Sequence, residues 1–162
     1  VLDTDLKKES LQYIAINKPA HCSLFAVVAD SHKAERINPI LPYLEGLFLN
    51  QKEASIISGQ DISSIDQALE VARLIRLKGP KLVFLTLGAR GAAVSTPHFF
   101  KIFSVLATTS PTGFYGAGDA FASGVINGFI NEMPIDEAVR DGLNLASLAN
   151  FWKEELTRKD YE

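Results

Sequence analysis

Cysteine is almost missing from this chain. Cys22 is the only one, so an intramolecular disulfide is impossible and a reducing, cytoplasmic setting is expected. Its place beside an apolar run reads as that of a small buried residue. Histidine is nearly as sparse. His21, His32 and His98 are scattered, and they show no zinc-ligand spacing with one another or with Cys22. No apolar run is long enough to span a bilayer. The opening Val1-Leu2-Asp3-Thr4-Asp5, soon followed by Lys7 and Lys8, lacks the pattern of a signal peptide. A basic excess is also lacking: 16 Lys and Arg stand against 19 Asp and Glu, for a formal net charge of −3. That argues against nucleic acid as the partner, because a phosphate backbone is held by a basic surface. Internal repeats and low-complexity segments are absent.

What is present is an ordinary globular composition, 47% hydrophobic over 162 residues. It predicts one domain, 1–162, around one core. Short apolar runs alternate with amphipathic stretches. Ser23 to Ala29 and Leu47 to Leu49 read as buried strands. Lys81 to Leu87 is the clearest strand, rich in β-branched and aromatic residues. Phe99 to Leu106 is a fourth, and Ala92 to Ser95 beside Thr96-Pro97 suggests a hairpin arm near a sheet edge. Ile65, Ala68, Leu69, Ala72 and Ile75 fall on one helical face. Ser64 and Gln67 form a capping box at its start and Gly79-Pro80 stops it. Ala117 to Ile130 and Pro134 to Phe151 read as further helices, with Pro134 in a first turn and a charged, fraying segment from Lys153. This alternation predicts an α/β layered domain with a mostly parallel sheet. Ligands of such sheets sit at the carboxyl ends of the strands.

Three segments after predicted strands can carry chemistry. Gly116-Ala117-Gly118-Asp119 opens an apolar helix. Small residues leave the backbone N–H groups uncovered where the helix dipole is positive, so an anion binds well there. Asp119, in the first turn, can accept a proton from a hydroxyl that attacks a phosphoryl group. Taken alone, the tetrapeptide is no more than a glycine-rich, capped turn. Asn50 to Glu53 follows the Leu47 strand, and an Asn and a Glu on one turn can hold a hydrated Mg²⁺. Alone it is a solvated polar helix start. Thr86-Leu87-Gly88-Ala89-Arg90-Gly91 follows the Lys81 strand, and its glycines let a nucleotide approach the backbone. Alone it is a strand-end turn.

Taken in order, the three segments resemble the ribokinase/PfkB carbohydrate kinases, whose N-x-x-E, T-x-G-x-x-G and D-T-x-G-A-G-D-x-F motifs follow one another in the same sequence. Asp3-Thr4-Asp5-Leu6 and Val28-Ala29-Asp30-Ser31 also look like the family's D-x-N-L and D-P stretches. The resemblance implies a three-layer αβα sandwich with a mostly parallel sheet, here without the N-terminal part and β lid. It implies ATP and Mg²⁺ as cofactors and a sugar or nucleoside as acceptor, in the manner of a pseudouridine kinase or a general carbohydrate kinase. By resemblance, Asp119 is the catalytic base and Gly116, Ala117 and Gly118 form the anion hole. Asn50 and Glu53 bind Mg²⁺ and phosphates, Thr86, Gly88 and Gly91 line the nucleotide site, and Asn144 flanks the adenine. Nucleic-acid or membrane partners are not implied, and homo-oligomerisation is compatible with the family.

Two departures qualify the resemblance. Nothing matches the family's sugar-binding glycines or lid strands, so this chain alone is expected to be incomplete and inactive. Gly113, Phe114 and Tyr115 stand where the family has the polar residues of a monovalent-cation loop, which argues against cation activation. The alternative reading is a non-catalytic relative or truncated fragment that binds a nucleotide or a protein. A dinucleotide-binding oxidoreductase is excluded by the lack of a glycine between Ala29 and Gly46.

Overall fold

The computed structural model describes the backbone of residues 1–105 and 116–159, and side chains up to residue 149. Six strands form one sheet in the order β1-β2-β3-β4-β5-β6. They are β1 (Leu2–Asp3), β2 (Phe25–Val27), β3 (Gly46–Asn50), β4 (Leu82–Thr86), β5 (Ala92–Ser95) and β6 (Phe100–Phe103). The first four pair in parallel. β5 turns back antiparallel to β4, so the hairpin expected near a sheet edge is present. The helices are α1 (Lys8–Asn17), α2 (Gln51–Ser58), α3 (Ile65–Leu77), α4 (Ala117–Ile130) and α5 (Ile135–Lys159). α5 runs past the expected end near Phe151, through a segment of Lys, Glu and Arg with Leu156, all good helix formers.

The described residues divide into two compact units. The first comprises Val1–Leu87 and Ala92–Ile102. Its core joins one face of the sheet (Leu47, Leu49, Val83, Leu85, Ala93) to buried residues of α1, α2 and α3. Ala34, Ile37, Ile40 and Leu41 join the same core from a 3₁₀ segment, Ser31–Tyr43. Pro39 and Pro42 forbid a regular α-helix there, and the three-residue spacing of Ala34, Ile37 and Ile40 suits three residues per turn. On the other sheet face Phe48 stacks on Phe84, its register partner, with ring centroids 4.6 Å apart. Phe25 lies 6.3 Å from Phe48. Gly46 has no side chain because the Phe25 ring occupies its place: a Cβ there would come within 2.6 Å of it. The capping box of α3 is present, with Ser64 and Gln67 each satisfying the other's backbone N–H.

The second unit comprises Gly88–Gly91 and Phe103–Glu162. α4 and α5 pack closely because their contact is made of small residues. A Cβ on Gly124 would fall 2.6 Å from the Gly142 Cα, and one on Gly128 would fall 2.5 Å from the Ala138 Cβ. The link between the two helices turns through Glu132, at φ 55°.

Cys22 is exposed rather than buried. The apolar strand starts three residues later, and Cys22 lies in the turn before it, where its N–H donates to the Pro19 carbonyl. Among the described residues, no helix is long and apolar enough to cross a membrane.

Candidate functional site

The first cluster forms where β2, β3 and β4 end. Asn50 closes β3 and caps α2. Its Oδ1 accepts the Glu53 N–H at 3.1 Å, and Glu53 Oε2 accepts the Asn50 N–H at 2.8 Å. Asn50 Nδ2 also donates to Glu53 Oε1 at 2.8 Å. This reciprocal box locks the two side chains together. Glu53 is only 3% exposed. Burial raises the pKa of its carboxyl above the usual range; the two Asn50 bonds oppose that, and the charge of Asp30 adds to it. Thr86 is the register partner of Asn50 on β4, and its hydroxyl donates to the Leu49 carbonyl at 3.4 Å. Asn50, Glu53 and Thr86 therefore share one edge of the sheet.

Asp30 reaches the same edge from β2. The Val28 N–H donates to the Phe48 carbonyl, so the chain beyond Val28 runs beside the end of β3. The Asp30 carboxylate accepts the His32 N–H at 2.9 Å, and that bond, assisted by Lys33, holds its pKa below the usual carboxylate value. These are hard oxygen donors, and Asp30 and Glu53 repel one another. Among the described residues no three His, Cys, Asp or Glu side chains gather into a metal cage. Asn50, Glu53 and Asp30 offer oxygen donors of the kind a hard cation such as Mg²⁺ takes.

The other candidates lie in the second unit. Gly88 and Gly91 bracket a short 3₁₀ turn, Gly88–Arg90, closed by a 3.0 Å bond from the Gly91 N–H to the Gly88 carbonyl. Both have positive φ, 62° and 97°, but their surroundings differ. A Cβ on Gly88 would meet no described atom within 4 Å, whereas one on Gly91 would fall 1.9 Å from the Phe103 carbonyl oxygen. Among the described residues the space beside Gly88 is open, whereas Gly91 is needed for the fold of the turn itself.

Gly116 enters α4 at φ 94° in the left-handed region, which glycine adopts without strain. It has no side chain to cap the helix. A Cβ on Gly116 or Gly118 would meet no described atom within 4 Å. The first α4 bond of this turn runs from the Ala120 N–H to the Gly116 carbonyl. Among the described residues, the N–H groups of Ala117, Gly118 and Asp119 therefore have no intrahelical partner, at the positive end of the dipole. Asp119 is exposed in that first turn. Asn144 is exposed on α5. Gly113, Phe114 and Tyr115, whose departure bears on a monovalent cation, lie outside the described residues. Sequence reasoning did not anticipate the polar contacts made by Thr4, Lys33 and Arg36. The only signal for them was Asp30 ahead of Ser31, a pairing that favours a capped turn.

Comparison with known proteins shows the family and the fold. The model of the pfkB family carbohydrate kinases matches residues 1–150. The chain is similar to the ribokinase of Haemophilus influenzae, 30% identical over 113 residues, which are 68% of this chain and 36% of that protein. It is 26% identical over 149 residues to the pseudouridine kinase of Escherichia coli, 92% of this chain and 47% of that one. The chain thus spans less than half the length of these relatives. Among solved structures, Arabidopsis thaliana ribokinase complexed with ribose and ATP superposes with a TM-score of 0.77 at 20% identity, over 91% of this chain and 48% of that one. That likeness shows the fold to be the ribokinase-like αβα sandwich with a mostly parallel sheet. By the span and order of these matches, the chain belongs to the pfkB family of carbohydrate kinases.

Proposed function

We propose that this chain is the nucleotide-binding part of an ATP-dependent kinase that phosphorylates a hydroxyl of a sugar or nucleoside, with 1–162 acting as one domain. The observation that carries this reading is the start of α4, which Gly116 enters with no side-chain cap. Backbone N–H groups at such a helix start suit a phosphoryl group, and Asp119 stands in the same turn. In the transfer, the acceptor oxygen forms a bond to the terminal phosphorus of ATP while the bond to the bridging oxygen breaks and ADP leaves. Asp119 takes the proton from the acceptor hydroxyl. The N–H groups of Gly116, Ala117 and Gly118 stabilise the charge that develops on the transferred oxygens. Asn50, Glu53 and Asp30 would hold a hydrated Mg²⁺, which when bound neutralises phosphate charge. Gly88 with Thr86 lines the path of the nucleotide, and Asn144 flanks its base. The acceptor class follows the relatives, which include a ribokinase and a pseudouridine kinase.

Titration of the ¹⁵N-labelled chain with Mg·ATP tests this reading. Amide shifts are expected at Gly88, Gly116, Gly118 and Asp119. Saturable shifts confined to other parts of the chain would refute it.

A further inference from the structure

Between the turn after β1 and the start of the 3₁₀ segment lies a set of polar links of which the phosphotransfer reading uses only Asp30. Lys33 Nζ sits 2.6 Å from Asp5 Oδ1 and 3.5 Å from Asp30 Oδ2. One turn on, Arg36 Nη1 lies 3.2, 3.3 and 3.4 Å from the carbonyl oxygens of Thr4, Asp5 and Leu6. Thr4 is fully buried, and its hydroxyl oxygen accepts the Ala29 N–H at 3.3 Å. The residues on either side of Asp30 are therefore tied back to the β1 turn: Ala29 through Thr4, Lys33 through Asp5, and Arg36 through three carbonyls. An exposed ion pair such as Lys33–Asp5 contributes little to stability by itself. What distinguishes this one is its second carboxylate, Asp30, which follows the end of β2, the strand paired with β3 and its terminal Asn50.

We infer that Lys33 is a positioning residue. By bridging Asp5 and Asp30 it fixes the Asp30 carboxylate at the cation edge formed with Glu53. This rests on the phosphotransfer reading above, which places a divalent cation at that edge. The inference has a definite sign. Removing a positive charge near a cation site should tighten the cation by simple electrostatics, whereas releasing a carboxylate that the site uses should loosen it.

The test is binding of Mn²⁺ in the presence of ATP, read from the paramagnetic resonance signal of free Mn²⁺. Lys33→Met should weaken binding by about tenfold, as loss of an outer-shell partner does. Lys33→Arg, able to keep both contacts, should stay close to wild type. Lys81→Met, which breaks the remote Lys81–Glu45 pair (2.8 Å), should change nothing. In Lys33→Met the Asp5 and Leu6 amides should also exchange faster with solvent, with the melting temperature near that of Lys81→Met. Unchanged or tighter Mn²⁺ binding in Lys33→Met, with normal binding in wild type, overturns the positioning role alone. A wild-type chain that binds no Mn²⁺ with ATP overturns both this role and the phosphotransfer reading on which it rests.

Discussion

Gly91 lies so close to Phe103 that a Cβ built on it would stand 1.9 Å from the Phe103 carbonyl oxygen. Its φ of 97° already disfavours any other residue. Gly88, three residues earlier, shares only the positive φ. Strain of this backbone kind costs about 1–2 kcal/mol for a residue with a Cβ, and a backbone clash adds to it. Gly91→Ala is therefore expected to lower stability by clearly more than Gly88→Ala, whose loss should stay near about 1 kcal/mol. Chemical denaturation of the two variants checks the order. Equal losses would mean that the turn relaxes freely away from Phe103.

Gly124→Ala tests the α4–α5 contact. Alanine gains about 1 kcal/mol over glycine in a helix, yet here its methyl would press on the Gly142 backbone at 2.6 Å. Overpacking of this kind costs about 1–3 kcal/mol, and the close backbone puts the cost at the upper end. A net loss of about 1–2 kcal/mol is expected, measurable by thermal unfolding. A stabilised variant would show that the two helices separate without cost.

Gly118→Ala separates stability from ligand binding. No described atom lies within 4 Å of the new methyl, so the helix should gain up to about 1 kcal/mol. The same methyl would cover the N–H groups offered to a phosphate, so binding of Mg·ATP should weaken. Calorimetry on both variant and wild type checks this. A variant with greater stability and undiminished binding would remove the α4 turn from the nucleotide site.

Glu53 gives a pH signature. Burial raises its folded pKa above the ordinary 4.5, so ionising it opposes folding. That cost is absent below 4.5 and grows as pH rises from there through the folded pKa. Stability in Mg²⁺-free buffer should fall across this window, and Glu53→Gln, which cannot ionise, should lose that fall. Melting temperatures followed from about pH 4 to about pH 8 decide it. The same slope in both proteins would show that Glu53 ionises without penalty.

Much of this architecture is legible in the chain. β4 announces itself by Leu82, Val83, Phe84 and Leu85, and α3 by Ser64 and Gln67. α4 begins and ends where its small and apolar residues do. Other parts are not legible, for physical reasons. β1 is two residues long and gains its strand character only by pairing with β2. α1 buries Leu11 and Ala15 but leaves Tyr13 and Ile16 exposed, so its apolar residues mark no single face. The 3₁₀ segment follows a three-residue period that helix templates do not match. In the candidate site, Asn50 and Glu53 signal each other because a capping box is local. The ties of Lys33 to Asp5 and of Arg36 to the β1 turn are not legible, since those partners lie 28 to 32 residues earlier.

In the proposed transfer, Asp119 takes the acceptor's proton. Asp119→Asn keeps the side chain's size but removes the carboxylate, and the most direct test measures its turnover and melting temperature together, in the protein at the length that transfers phosphate. Loss of a general base lowers the rate by about 10²–10⁴-fold, or about 3–5 kcal/mol of barrier. Nucleotide binding should hold or tighten as a negative charge beside the phosphates disappears. Stability should change by no more than about 1 kcal/mol, since only a favourable charge at a helix N-terminus is lost. A variant that folds as well as wild type and transfers phosphate at nearly the wild-type rate would rule out Asp119 as the base.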